Sequence, residues 1–232
     1  MLGKLDSIQV GLPRRYVGDG DAEKAWTSAI AKRSVTGPVQ VRQTNLDGDR
    51  QADLKHHGGP DKAVLAYAAA HYEAWREDFP DVVFGQGGFG ENLTISGFDE
   101  TGCCVGDVVG IGGCRLQLSQ PRRPCWKLAR HWKLPKLAVL VQKYGRTGWY
   151  YRVLEEGPIE AGQAVQLIDR PYPELTVAWA NKVMYAKPRS KSDDLQLAAC
   201  PALSASWQAT LSKRATTGVE ADASARLDGG HR

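Results

Sequence analysis

Apolar positions over the first 170 residues come in short runs separated by glycine and polar turns, a pattern of strands rather than helices. Leu5, Ile8 and Val10 mark a strand over 5–10, and Val39 with Val41 marks another. Further strands are expected over 63–67, 91–95, 108–111, 115–118, 149–154 and 164–168. The segment 22–33 reads two ways. Trp26 and Ile30 stand four apart, as on a helix, yet 26–30 also suits an edge strand. Helical spacing is clearer over 68–79, where Tyr72, Trp75 and Phe79 share a face before Pro80, and over 137–144. Segments 11–21, 45–50 and 155–162 read as turns, the second with Asp-Gly at its centre. Strands at close intervals with glycine turns favour a barrel or sandwich.

The pattern changes after Pro171 and Pro173. Leu175, Trp179 and Val183 form one helical stripe over 174–186, and Leu203, Trp207 and Leu211 form another over 202–214. A shorter helix over 193–199 is expected between them, with Asp193 near its N-cap. Three short helices are too few to build a separate core. From Thr216 onward the chain is rich in Gly, Ala and charge and is expected to be disordered. The expected division is therefore 1–170, 171–215 and a tail over 216–232.

Composition supports a folded, non-membrane chain. Of 232 residues 42% are hydrophobic and 24% charged, enough for a core beneath an ordinary soluble surface. No apolar run reaches the length of a membrane span, and the N-terminus lacks the apolar centre of a signal peptide. Five cysteines without a CxxC pair suggest a reducing, cytoplasmic setting.

Charge singles out one stretch. PRRPCWKLARHWKLPK (121–136) holds six Lys or Arg and no acid, while the whole chain is only +4, so the remainder is net acidic. Cys125 lies inside it, after Arg122, Arg123 and Pro124. Cations near a thiol favour the thiolate, a nucleophile and soft metal ligand. Pro121 and Pro124 are expected to hold the stretch as a loop. The alternative is a buried structural cysteine beside a core tryptophan, with the basic residues on a solvated helix face.

A second stretch, DLKHHGGPDKAV (53–64), pairs Gly58 and Gly59, whose amides can approach a ligand closely, with His56, His57, Asp61 and Lys62. A polar turn between two strands is written the same way. Adjacent histidines are poorly spaced for chelation, which argues against zinc. The glycine-rich FGQGGFG (84–90) lacks a Walker-type ending and fits no dinucleotide fingerprint. Glu91 and Asn92 follow it, either as ligand-fixing groups or as caps of a strand-end turn.

Taken together, DLKHHGGPDKAVLAY, FGENLTISG, QPRRPCWKL and GRTGWYYRVLEEGPIEAGQAV resemble the MOSC domain, in particular its YiiM-like branch, over about residues 3–214. The resemblance implies a mainly β, α+β fold: a barrel with peripheral helices and a three-helix C-terminal appendage. It implies a molybdenum cofactor with Cys125 as the protein's ligand to the metal. It also implies reduction of N-hydroxylated small molecules, hydroxylated purine bases among them, in a reaction independent of pyridoxal phosphate and fed by a flavoprotein electron donor.

A pterin cofactor ends in phosphate, so its pocket needs positive charge and exposed amides. Arg122, Arg123, Lys62, Gly58 and Gly59 are the candidates, with Glu91 and Asn92 fixing pterin or ligand. His57, whose ordinary pKa lies near neutrality, is the candidate proton donor. A homodimer is among the expected assemblies. Two other classes stay open: a sulfur carrier bearing a Cys125 persulfide, and a nucleic-acid binder stacking bases on Trp126 and Trp132. A net charge of +4 and the absence of a recognition motif argue against the latter, so no nucleic-acid or membrane partner is expected.

Overall fold

A computed structural model describes residues 2–17, 25–220 and 222–229, with Lys55, His56 and Asp228 described by their backbone alone. The strands are β1 (Gly3–Val10), β2 (Arg14–Tyr16), β3 (Trp26–Ser28), β4 (Arg33–Val35), β5 (Val39–Val41), β6 (Val64–Ala68), β7 (Leu93–Ser96), β8 (Val108–Ile111), β9 (Cys114–Pro121), β10 (Trp149–Glu155), β11 (Gly157–Ile159) and β12 (Ala164–Asp169). The helices are α1 (Leu54–His57), α2 (Ala70–Asp78), α3 (Trp126–Trp132), α4 (Leu137–Tyr144), α5 (Val177–Tyr185), α6 (Lys191–Ala198), α7 (Ala205–Thr217) and α8 (Ser224–Asp228). A 3₁₀ turn spans Pro60–Lys62.

Strands pair in the order β12-β8-β9-β10-β6-β7-β1, and β12 returns to β1, closing a seven-stranded barrel with β4 added beside β1. Only β6 and β7 run parallel in it, joined through α2. Leu5 and Ile8 are three apart, which would put them on opposite faces of a regular strand. A register shift between Leu5 and Ser7 turns both into the core.

Two apolar clusters result. One fills the barrel and runs without a break into Val177, Val183, Leu197, Trp207 and Leu211 of the C-terminal helices. The other, beneath α2, α3 and α4, is mostly aromatic and centres on Tyr67, Trp75 and Phe89. The appendage is also stitched to the barrel by backbone bonds: Val177 N to Cys103 O (2.9 Å) and Ser204 N to Ser119 O (2.9 Å). Buried Arg214 clamps α7 to its neighbours, paired with Asp194 and donating to the carbonyls of Met184 and Val183 (each 3.0 Å). A buried charge survives only when paired and bonded in this way.

Of the two readings left open for segment 22–33 the strand holds, as β3, with no helix among its described residues. Several expectations are corrected. The stretch 155–162 contains β11, which pairs with β5. The basic stretch is not a single loop: Pro121 ends β9, 122–125 are irregular, α3 runs from Trp126 to Trp132, and 133–136 turn the chain into α4. Ser190, not Asp193, caps α6, accepting from Asp193 N. Of the tail expected to be disordered, Thr216 and Thr217 complete α7 and 224–228 form α8, with Arg226 bonded to Pro124 O and Gln142 Oε1. Residues 18–24, 221 and 230–232 lie outside the described residues. Among the described residues no helix is long and apolar enough to cross a membrane.

Candidate functional site

Cys125 takes its place from the strand before it. Arg122 N donates to Gly148 O (3.0 Å), continuing the β9–β10 ladder one step past Pro121. Gly148 has φ of +71°, and a Cβ there would stand 2.4 Å from Ala66 O, so only glycine lets this carbonyl reach Arg122. Three residues later Cys125, in extended conformation, ends the loop directly before α3. The other four cysteines are buried and their thiols are pushed up by desolvation, that of Cys114 to about 12. Cys125 alone of the five is partly open, and it lines two adjoining clefts of about 630 and 1430 Å³.

His57, at the end of α1, stands against it, with Nε2 3.9 Å from Cys125 Sγ. Burial, then Arg122 and Lys127, lower its pKa to about 4, with Asp53 opposing. The imidazole is thus held neutral at ordinary pH in the protein without ligand.

Arg122 is 6% exposed, and its Nη1 has no hydrogen-bond partner among the described residues. Arg123 Nε is buried and unpartnered in the same sense. Arg122 faces the smaller cleft and Arg123 the larger, while Lys62 reaches both. The Lys62 ammonium is held below its usual range by burial and by Arg123. Unpartnered buried guanidinium nitrogens are costly unless a ligand engages them. The pair therefore fits an anionic group beside the Cys125 thiol.

Other predicted residues fall differently. Gly58 and Gly59 are not in the walls of these clefts. Gly59 has φ of +92° and opens the 3₁₀ turn, which accounts for glycine there. Glu91 is fully buried and faces inward. It accepts from Tyr72 Oη, Gly87 N (2.6 Å), Phe89 N (3.2 Å) and Thr94 Oγ1 (3.2 Å), so it pins the glycine-rich loop instead of touching ligand. The amides of that loop are thereby spent on an internal carboxylate. Asn92 does line the cleft, but its amide already bonds Leu65 N, Gln9 O and Asp49. Asp61 pairs with Arg152. The His56 side chain lies outside the described residues.

Lys127 of the basic stretch also lines the smaller cleft, and so do Lys32, Asp49 and Tyr150, which sequence reasoning missed. Lys32 is paired with Asp49, and burial holds the ammonium below its usual range. These residues are far apart in sequence, and no local motif joins them. The tryptophans weighed as stacking platforms are engaged. Arg130 lies 4.6 Å over the Trp126 ring, and Trp132 donates to Gly88 O (2.8 Å) and packs on Phe84.

Residues 53–166 match the MOSC domain, and residues 175–218 match the YiiM-like, 3-alpha helix domain. The chain is 37% identical to Protein YiiM of Escherichia coli over 204 residues, covering 87% of this chain and 91% of the relative. The chain belongs to the YiiM-like branch of the MOSC family. A crystal structure of YiiM from Geobacillus stearothermophilus superposes with a TM-score of 0.77 at 36% identity, covering 92% of this chain and 99% of that one. A protein of Gibberella moniliformis named Reductase is 37% identical over 164 residues, which is 69% of this chain and 29% of that protein. The family and this relative make an enzymatic role the coarse reading.

Proposed function

We propose that this chain is a molybdenum-cofactor-dependent reductase of N-hydroxylated compounds, hydroxylated purine bases among them, supplied with electrons by a flavoprotein. The observation that carries the reading is the pairing of the single open thiol, Cys125, with two arginines whose buried nitrogens lack partners. MOSC domains are associated with molybdenum cofactor binding, and a ligand that is polyanionic and bears a soft metal suits both features. When bound, the cofactor supplies a two-electron redox centre. The net change is R–NHOH plus two electrons and two protons giving R–NH₂ and water.

The chain's own residues divide the work. Cys125 Sγ ligates the metal. Arg122, Arg123 and Lys62 hold the phosphate, the arginines through forked donors that suit its geometry. Neutral His57, with its ring proton on Nε2, faces the thiolate as a donor. Lys32, paired with Asp49, places a further cation in the lining of the smaller cleft. Tyr150 adds an aromatic side chain to the wall of the cleft.

The test is protein made in a host that synthesises the pterin cofactor, assayed for molybdenum and for donor-dependent conversion of a hydroxylaminopurine to the aminopurine. One molybdenum per chain with turnover supports the reading. Sulfane sulfur on Cys125, with neither molybdenum nor turnover, makes the protein a sulfur carrier instead.

A further inference from the structure

A third cleft, of about 1030 Å³, lies between α5, α7 and α8 and reaches the Arg123 side of the cysteine loop. Four buried polar groups stand in its walls: Arg123 Nε, Arg189 Nε and Arg226 Nε have no hydrogen-bond partner among the described residues, and the Tyr185 hydroxyl, which lies against the Arg123 guanidinium, finds no acceptor for its proton. Each comes from a different segment of the chain: the cysteine loop, α5, the α5–α6 connection and α8. One unpartnered donor is a local defect, whereas four around one cleft make a receptor for an acceptor-rich group.

Charge agrees with this. Arg189 is paired with Glu220 and Arg214 with Asp194, but neither Arg123 nor Arg226 has a carboxylate partner among the described residues. Arg226 bonds only to the neutral Pro124 O and Gln142 Oε1. Burial, with Arg123 nearby adding to it, holds Arg226 below its usual range. An anion between Arg123 and Arg226 would counter that lowering and engage the idle nitrogens. Arg123 and Arg226, with Thr210, also line the large cleft that contains Cys125. The two clefts thus form one groove, with aromatic walls at the Cys125 end (Tyr150, Trp126, Trp207) and guanidinium groups at the other.

We infer that the cleft between α5, α7 and α8 is a second phosphate-binding site, taking the phosphate of a nucleotide whose remaining part lies toward Cys125. That nucleotide is either an extension of the cofactor or a phosphorylated substrate. Only this choice of source rests on the proposed function, because Arg189 and Arg226 are not among the groups that hold the cofactor's phosphate and Arg123 alone is shared.

The experiment is calorimetric titration of cofactor-free, full-length protein with inorganic pyrophosphate, with Arg226→Gln, Arg226→Lys and Arg122→Gln in parallel and melting curves for each. Pyrophosphate binding that weakens about tenfold or more in Arg226→Gln, weakens less in Arg226→Lys, and persists in Arg122→Gln supports the site. Binding unaffected by Arg226→Gln overturns it, as does the absence of any binding. Should Arg226→Gln melt early, Arg189→Gln replaces it under the same criteria. Two further measurements separate the sources. Nucleoside monophosphate released by acid in proportion to molybdenum assigns the phosphate to the cofactor. A KM for the 5′-monophosphate of a hydroxylaminopurine ribonucleoside that rises in Arg226→Gln at unchanged kcat assigns it to the substrate. Loss of reductase activity with Arg226-dependent pyrophosphate binding intact counts against the proposed function alone.

Discussion

Cys125, in the loop before α3, and His57, at the end of α1, stand 68 positions apart in the chain and meet at 3.9 Å, with two arginines and Lys127 around them. Cys125→Ser keeps the shape of the side chain and removes a soft anion. Turnover should fall to near background while stability changes by about 1 kcal/mol or less, read from reductase assays and melting curves. The same change at Cys103, Cys104 or Cys114 should leave activity in whatever protein folds. His57 offers a pH test. Its pKa is depressed when folded, so between about 4 and its ordinary value of 6.5 the unfolded chain binds the extra proton. The neutral imidazole's contribution is complete above 6.5 and is lost as pH falls through about 4. His57→Gln should flatten the acid side of the stability–pH curve. In NMR titrations the His57 pKa should rise when phosphate neutralises Arg122, and a titration insensitive to phosphate would separate the two residues functionally.

At the scale of elements, the glycine-rich loop and α8 both act on the site from its edges. Glu91 holds the loop through two backbone amides, two hydroxyls and no ligand contact. Glu91→Gln swaps one acceptor oxygen for a donor among these fixed donors, at a cost of about 1–3 kcal/mol. The cofactor-free protein should therefore melt earlier, which a ligand-contacting residue would not cause. Helix α8 packs on α3: Arg226 bonds the carbonyl just before Cys125, and Gly229 lies against Trp126. Deleting 219–232 uncovers that face without cutting the main core. Phosphate and cofactor retention should fall markedly while the melting temperature falls little, and equal retention in truncated and full-length protein would show α8 to be idle.

For the whole molecule, barrel and appendage share one core. Trp207 of α7 is 1% exposed within the same apolar cluster as the barrel strands. Trp207→Ala should cost about 3–5 kcal/mol, and at roughly 2–4 °C per kcal/mol the melting temperature should drop by roughly 6–20 °C. A single transition is expected, because no boundary separates two cores. Two resolved transitions would mean that the appendage unfolds on its own.

Local periodicity was enough to find most strands, α2, α4 and the three C-terminal helices, because spacing along the chain reports which face is buried. Charge density and proline placement were enough to single out Cys125 among five cysteines, since both act over a few residues. Where backbone partners are distant, the sequence was silent. Strand β11 exists only because β5 pairs with it, and α8 is ordered by Arg226 reaching Pro124 across 102 positions. Glu91 and Asn92 are adjacent polar residues with no local sign of direction, yet the fold turns one into the interior and the other toward the cleft. His57 has an ordinary pKa as a residue type, and only burial beside Arg122 and Lys127 makes it neutral. Lys32, Asp49 and Tyr150 join the site through barrel closure. The sequence determined that Cys125 stands among cations, because residue type and near neighbours decide that. Tertiary structure decided which side chains meet there, and in what charge state, because burial and long-range pairing set both.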